Sequence, residues 1–192
     1  MTVAASTTRQ QIVRAAETVF PALGYSGTTM ADLARAAGVT RPTVYAYFSS
    51  KADVFRAVAA SVREDVLAVQ QRAVGATSVD TARLGVVGYL DAYIDHLGIL
   101  TVIAHQALTD PDISRLRHDI HDRANRRHTR FIERLARAGQ ARPVAPAAVV
   151  AEVITGVVMR LAEIAAADPS RHDELAAHLT AVHRALIGLH PS

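Results

Sequence analysis

An all-α fold is predicted, in which an N-terminal three-helix helix-turn-helix domain precedes a C-terminal helical body. Apolar residues recur at three- and four-residue spacing along most of the chain, whereas the period-two alternation of half-buried strands is absent. These segments are punctuated by Gly24, Gly38, Gly98, Asp110-Pro111, the Gly139–Pro146 stretch and Asp168-Pro169. A further mark is a pair of short helices on either side of a glycine turn at Gly38, too small to bury enough surface unless packed on another helix.

The first helix carries Ile12, Ala15, Ala16, Val19 and Phe20 on one face, starts at a capping box of Thr7 with Gln10, and stops at Gly24. Residues 1–6 are expected to form a disordered N-terminal tail. Thr29 caps a second helix, with Asp32 at its third position and Met30, Leu33 and Ala37 along it. Past the Gly38-Val39-Thr40 turn, Thr40 caps a third helix that ends near Tyr47 or Phe48. Its Pro42 falls in the first turn, where a missing N–H costs little. Ser50 and Asp53 open a long fourth helix whose apolar face is Phe55, Val58, Ala59, Val62 and Val66, and which runs towards Gly75. Later helices are expected over 79–97, 101–109, 111–138, 146–167 and 171–189. The pattern divides the chain into a domain over 7–52 and a second over 53–192, with the fourth helix as the only continuous connection.

Within the first domain, Ala34 stands where the two short helices meet and only a small side chain fits. Gly38 makes the turn and Val44 returns to the core. An ordinary helical hairpin is the alternative, and the small, glycine and aliphatic residues at these positions weigh against it.

Composition removes several function classes. The chain of 192 residues is 50% hydrophobic, enough for a substantial core, and holds no cysteine, which excludes disulfides, thiolate zinc sites and cysteine nucleophiles. No glycine-rich phosphate loop, serine elbow or HExxH motif occurs, so no enzyme and no cofactor is expected. Charged residues interrupt every apolar run before membrane-spanning length, which with the cysteine count points to a soluble cytoplasmic protein without a membrane partner. The net charge of +3 is modest, but the single lysine, Lys51, falls at the start of the fourth helix.

The run from Arg9 to Val58 closely resembles the N-terminal domain of TetR-family regulators. The resemblance is carried by Gly24-Tyr25, Thr28-Thr29, Met30, Ala34, Gly38-Val39, Thr43-Val44-Tyr45, Tyr47-Phe48, Ser50-Lys51 and Phe55. It covers the first quarter of the chain and implies a ligand-responsive, homodimeric transcriptional regulator. Its partners would be double-stranded operator DNA and an unknown small-molecule effector, and its body would serve ligand binding and dimerisation. A constitutive DNA-binding or scaffolding protein without a ligand stays open at this point. Ala46, where the family often has a larger aromatic or histidine, and Pro21, in the last turn of the first helix, depart from the pattern.

A recognition helix presents its N-terminal residues to base edges in the major groove, so Thr40, Arg41, Pro42 and Thr43 are the first DNA-binding candidates. Arg41 can donate twice to a guanine, and Pro42 with the Thr43 methyl can meet a thymine methyl. The hydroxyls of Tyr45 and Tyr47 suit phosphate oxygens, with core packing as the alternative for both. Lys51 matches the family's phosphate-contacting position at a helix N-terminus, and Thr28 and Thr29 are expected to clamp the backbone nearby.

In the body, Val150, Val153, Val157 and Leu161 form an apolar stripe, and Leu175, Leu179, Val182 and Leu186 form another. The resemblance makes these the dimerisation helices, and each helix is expected to face both the core and a second copy. A ligand cavity is expected among Tyr89, Tyr93, His96, Leu97, Leu100, His105, Phe131, Leu135 and Met159. His118, His121 and His128 share roughly one helical face near Asp119 and Asp122, but the surrounding arginines would repel a cation, so no metal is expected.

Overall fold

The computed structural model of the chain describes residues 3–72 and 77–189. Among them are the helices α1 (Val3–Gly27), α2 (Met30–Ala36), α3 (Arg41–Tyr47), α4 (Lys51–Arg72), α5 (Ser78–Asp95), α6 (Leu97–Gln106), α7 (Pro111–Arg137), α8 (Ala147–Ala167) and α9 (His172–Ile187). A 3₁₀ turn joins α8 to α9 at Pro169–Arg171, and the only sheet-like pairing among the described residues is the isolated Ala141–Leu189 bridge. The fold is all-α.

Several boundaries differ from the sequence pattern for physical reasons. Helix α1 reaches back to Val3, so Thr7 and Gln10 lie inside it and residues 3–6, expected in a tail, are helical; Met1 and Thr2 lie outside the described residues. Gly24 does break the helix, with φ 70° and ψ 163°, but a last turn continues to Gly27. Gly75 lies outside the described residues. The break between α5 and α6 is the single residue His96, and Gly98 sits within α6. Its missing side chain serves packing, since a Cβ there would stand 3.1 Å from Cβ and 3.3 Å from Cγ of Pro21.

Two compact units divide the chain. The first holds α1 to Glu64 together with Gly98–Arg117, and the second holds Asp65–Leu97 and the chain from His118 onward. Where the sequence pattern draws one boundary at 52/53, the chain passes between units after Glu64, after Leu97 and after Arg117, so α4 is not the only connection.

In the first unit, α1 packs on α2 and α2 on α3. Ile12, Ala16, Phe20, Leu33, Val44, Phe55 and Val58 are buried in its core. Phe20, Tyr25 and Phe55 form an aromatic cluster, with ring centroids 4.9 Å apart for Phe20 and Phe55 and 5.0 Å for Tyr25 and Phe55, both edge-on.

In the second unit, α5 packs on α8 and α9, and α8 on α9. Val86, Leu90, Val150, Ile154, Val158, Leu175, Leu179 and Ile187 are buried there. Gly188 ends α9 in the left-handed region at φ 58°, and a Cβ on it would lie 2.0 Å from the carbonyl oxygen of Arg142. That close approach lets the Arg142 N–H donate to the Gly188 carbonyl at 2.9 Å, which ties the loop before α8 to the end of α9.

Two imidazoles meet inside this unit, with Nε2 of His128 on α7 2.8 Å from Nε2 of His183 on α9. Burial pushes His128 down to about 4, and burial together with His128 pushes His183 down to about 3. Both rings therefore bind protons more readily in the unfolded chain, where the ordinary value is 6.5. Their contribution to stability is complete above about pH 6.5 and is lost as the pH falls from there through 4. His172 is raised by its hydrogen bond to Asp91 and by Asp173, so its own contribution is complete below its unfolded value and adds no slope on the acid side. Urea unfolding between about pH 7 and 5 should therefore show a steeper acid loss for the parent than for a His128→Leu, His183→Leu double variant, whose apolar pair has nothing to protonate. Equal slopes would mean that the histidine pair does not set the acid limb.

Candidate nucleic-acid interface

Local hydrogen bonding fixes the α2–α3 pair. Thr29 caps α2 by accepting from the Asp32 N–H at 3.2 Å, while the Thr29 N–H donates back to the Asp32 carboxylate at 3.0 Å. The Thr29 hydroxyl donates to the same carboxylate at 2.6 Å, and these bonds, with Arg35 adding to them, hold Asp32 below the usual carboxylate range. Gly38 turns the chain at φ 65°, and Val39 donates to the Ala34 carbonyl at 3.0 Å. Thr40 then caps α3 by accepting from the Thr43 N–H at 3.3 Å and shares a 2.7 Å bond with the Thr43 hydroxyl.

Helix α3 buries Val44 alone and turns Arg41, Pro42 and Tyr45 outward, with Thr43 and Tyr47 half-buried. The Arg41 guanidinium lies over the Tyr45 ring at 5.6 Å and donates to its hydroxyl at 3.4 Å, so the two side chains stand as one exposed ridge. Ala46 is exposed and adds only a methyl group.

Lys51 and Thr28 are engaged within the protein. The Lys51 ammonium donates to the Tyr25 carbonyl at 2.7 Å and the Ser26 carbonyl at 3.3 Å, and lies 4.6 Å from the Tyr25 ring centroid. It stands at the carbonyl end of α1, where a cation is favoured by the helix dipole. Thr28 is buried, and its hydroxyl donates to the Gly24 carbonyl at 2.7 Å. Arg41, Tyr45 and Lys51 nonetheless line one open cleft of about 450 Å³ with Thr28, Thr29, Met30 and Ala31. The expected DNA-binding residues Thr28, Thr29, Arg41, Tyr45 and Lys51 are thus brought together, and Thr40, Pro42, Thr43 and Tyr47 lie on or beside α3.

The expected ligand-lining residues divide. Leu100 and His105 belong to the first unit and the others to the second. His105 is exposed, which is at odds with a lining role, because it falls on the outward side of α6 while Ile99 and Ile103 take the inward one. Tyr89, Tyr93 and Leu135 are buried, Leu97 and Met159 are partly so, Phe131 is half-covered beneath Arg134, and His96 faces Asp65 at 3.8 Å. The apolar stripes divide as well. Val150, Leu175 and Leu179 are covered by the chain's own core, Val157, Leu161 and Leu186 are half-buried, and Val153 and Val182 are 47% and 43% exposed. Val149, which the sequence pattern passed over, joins them at 49%. Of the histidines considered for a metal, His128 turns to His183 and His121 to Tyr93, and no group of three or more metal-ligating side chains forms among the described residues.

The first unit is thus built as a helix-turn-helix domain: two short helices at a glycine turn, packed on a longer one, with the second exposing its N-terminal end. Residues 12–58 match the family described as bacterial regulatory proteins, tetR family. Its sequence is 45% identical over 60 residues to the HTH-type transcriptional regulator TtgR of Pseudomonas putida, a match covering 31% of this chain and 29% of that protein. The matched segment is therefore less than a third of the curated relative's length. A bacterial regulatory protein in the tetR family from Rhodococcus RHA1 superposes with TM-score 0.76 at 22% identity, covering 96% of this chain and 98% of that one. The TetR family regulator PfmR from Thermus thermophilus gives TM-score 0.74 at 20% identity over 94% of this chain and 99% of that one. At these identities the likeness is one of fold, and it extends over the helical body that the sequence match leaves out.

The Lys51 bonds make its removal a matter of stability as well as of any DNA contact. Lys51→Ala should lower unfolding stability by about 1.5 kcal/mol in urea titrations, because a charge-assisted bond to partly buried carbonyls is lost. Unchanged stability, with only a flatter salt dependence of DNA binding, would instead make phosphate contact its sole role.

Proposed function

We propose that this chain is a dimeric, ligand-responsive transcriptional regulator that binds a palindromic double-stranded operator through α3. It is a cytoplasmic DNA-binding protein, not an enzyme, and needs no cofactor, metal or membrane. The observation that carries this reading is the outward N-terminal end of α3, where Arg41 and Tyr45 form a ridge beside Lys51 and Thr29. Val44 anchors the helix from below, so a groove can be entered without disturbing the core. Arg41 reads a guanine edge, Pro42 and Thr43 offer apolar contact to thymine methyls, and Thr40, Tyr45 and Tyr47 hold phosphates. Lys51 and Thr29 meet the backbone at the edge of the cleft, and Thr28 acts from beneath by fixing the end of α1.

The dimer is supported by the exposed residues of α8 and α9. Val149, Val153 and Val157 follow one another at four-residue spacing on α8, and Val182 with Leu186 does so on α9. A second copy would cover both rows by an isologous contact, matching the two-fold symmetry of the operator. An effector held by the second unit shifts the protein towards a form with poorer half-site spacing and so releases the operator; the resemblance favours this repressor sense.

Arg41→Ala should cost about 1–3 kcal/mol of operator affinity and relax preference at one base pair, leaving binding to random DNA nearly unchanged. Equal loss on operator and random duplexes would remove base reading from Arg41. A Val153→Glu, Val182→Glu double variant should sediment as a monomer, since like charges would face each other across the axis. A dimer of parent size would move the interface elsewhere.

A further inference from the structure

The second unit holds a group of polar side chains that the operator-binding cleft does not use. Thr155 on α8 donates to the Asn125 side-chain oxygen on α7 at 2.6 Å, and the Asn125 amide donates to Glu152. One turn along α7 in each direction stand His121 and His128. His121 meets the Tyr93 hydroxyl of α5 at 3.5 Å, and Tyr93 packs edge-on against Tyr89 at 5.5 Å. His128 meets His183 at 2.8 Å. The group therefore links α5, α7, α8 and α9 through polar tips.

Two of its atoms are unusual. Nδ1 of His183 has no hydrogen-bond partner among the described residues, and the Tyr89 hydroxyl has none at normal hydrogen-bond distance, Thr155 being the neighbour that comes nearest to pairing it, although Tyr89 is only 4% and His183 only 2% exposed. Thr155 has given its proton to Asn125, so it can serve the Tyr89 hydroxyl only as an acceptor. A buried polar atom left unpaired costs folding free energy, and a ligand that pairs it recovers that cost.

We propose that this cluster is the effector site, and that Tyr89 and His183 there bind an uncharged molecule through its hydroxyl or carbonyl group. The proposal rests on the regulator reading above and adds the chemistry of the effector. A hydroxyl suits both atoms, because it can donate or accept whichever ring nitrogen of His183 carries the proton. Charge decides against the alternatives. Burial holds His128 and His183 in the neutral form and raises Tyr89 to about 12, so none of them offers an ion a counter-charge. The second unit has no lysine, and its Arg123, Arg126 and Arg160 pair with Asp119, Asp122 and Glu163 at the surface. An anion would enter near Glu152, whereas a cation would have to displace the Asn125 amide from that carboxylate.

The test compares 2-naphthol, 2-naphthoate and 2-naphthylmethylamine, which share a ring system and differ in charge, by fluorescence titration of the whole dimer. We expect 2-naphthol to bind at least tenfold more tightly than either ion, and Tyr89→Phe to weaken it at least fivefold. His183→Leu should weaken it as well. Tyr89→Phe should also keep or raise the thermal midpoint of the ligand-free protein, because it deletes an unpaired buried hydroxyl; a residue with a purely structural hydrogen bond would lower it. Equal or tighter binding of either ion, failure of all three probes to bind, or naphthol binding indifferent to both substitutions would overturn the proposal. Operator release by a compound whose binding ignores both substitutions would remove this site and leave the regulator reading intact. Specific naphthol binding in a protein that shows no preference for any DNA would do the reverse.

Discussion

The end of α1 is the constraint on which the exposed face of α3 depends. Gly24 breaks the helix, and the turn that follows exposes carbonyl groups that the helix can no longer satisfy. Lys51 takes two of them, Thr28 takes the Gly24 carbonyl, and the Tyr25 ring closes against Phe20 and Phe55. These contacts join α1, the start of α2 and the start of α4 at one corner. Because α3 buries only Val44, its direction is set less by its own packing than by the helices it leans on. A seven-residue helix could not hold such a pose alone, since helix nucleation is unfavourable and short helices are marginal in water.

The same corner explains why the only lysine of the chain has two readings. A cation is favoured at the carbonyl end of α1 and at a phosphate for the same electrostatic reason, and Lys51 lines the cleft while donating to Tyr25 and Ser26. A flexible stem with three donors can serve a backbone carbonyl and a phosphate together, which a guanidinium in a fixed plane does less readily. Arg41 is the counterpart: its planar fork lies over the Tyr45 ring and stands exposed at the N-terminal end of α3.

Most of the fold was legible because helical periodicity and caps are local. Thr29 with Asp32, Thr40 with Thr43, and Gly38 lie within a few residues of what they stabilise, and the structure uses them as the spacing implies. The misplaced features are those whose meaning is tertiary. Gly98 reads as a helix break but is the close approach to Pro21, and Thr7 with Gln10 reads as a cap although α1 starts earlier. The inward turn of the Thr28 hydroxyl follows from the Gly24 break, which sequence could place but whose consequence four residues on it could not. Likewise the stripes on α8 and α9 look uniform in sequence, and only packing separates covered Val150, Leu175 and Leu179 from open Val149, Val153 and Val182.

The polar residues of the second unit follow from the same distinction. His121, Asn125 and His128 recur at four- and three-residue spacing on a helix whose other positions are crowded with arginine, so in sequence they merge with a solvated face. In the structure they form the inward edge of that face, beside buried Ile120, Ala124 and Ile132. A core optimised for stability alone would hold apolar groups at Tyr89 and His183 or pair every polar atom, since replacing both partners of a buried bond by apolar groups can be nearly neutral. Retaining unpaired atoms in the interior is therefore a cost with no return in folding, and interaction with something outside the chain is what would recover it. The first unit departs from its interior rules only at the surface, where Arg41 and Tyr45 stand exposed. The second departs from them inside, which is where a molecule small enough to enter a helical core would be recognised.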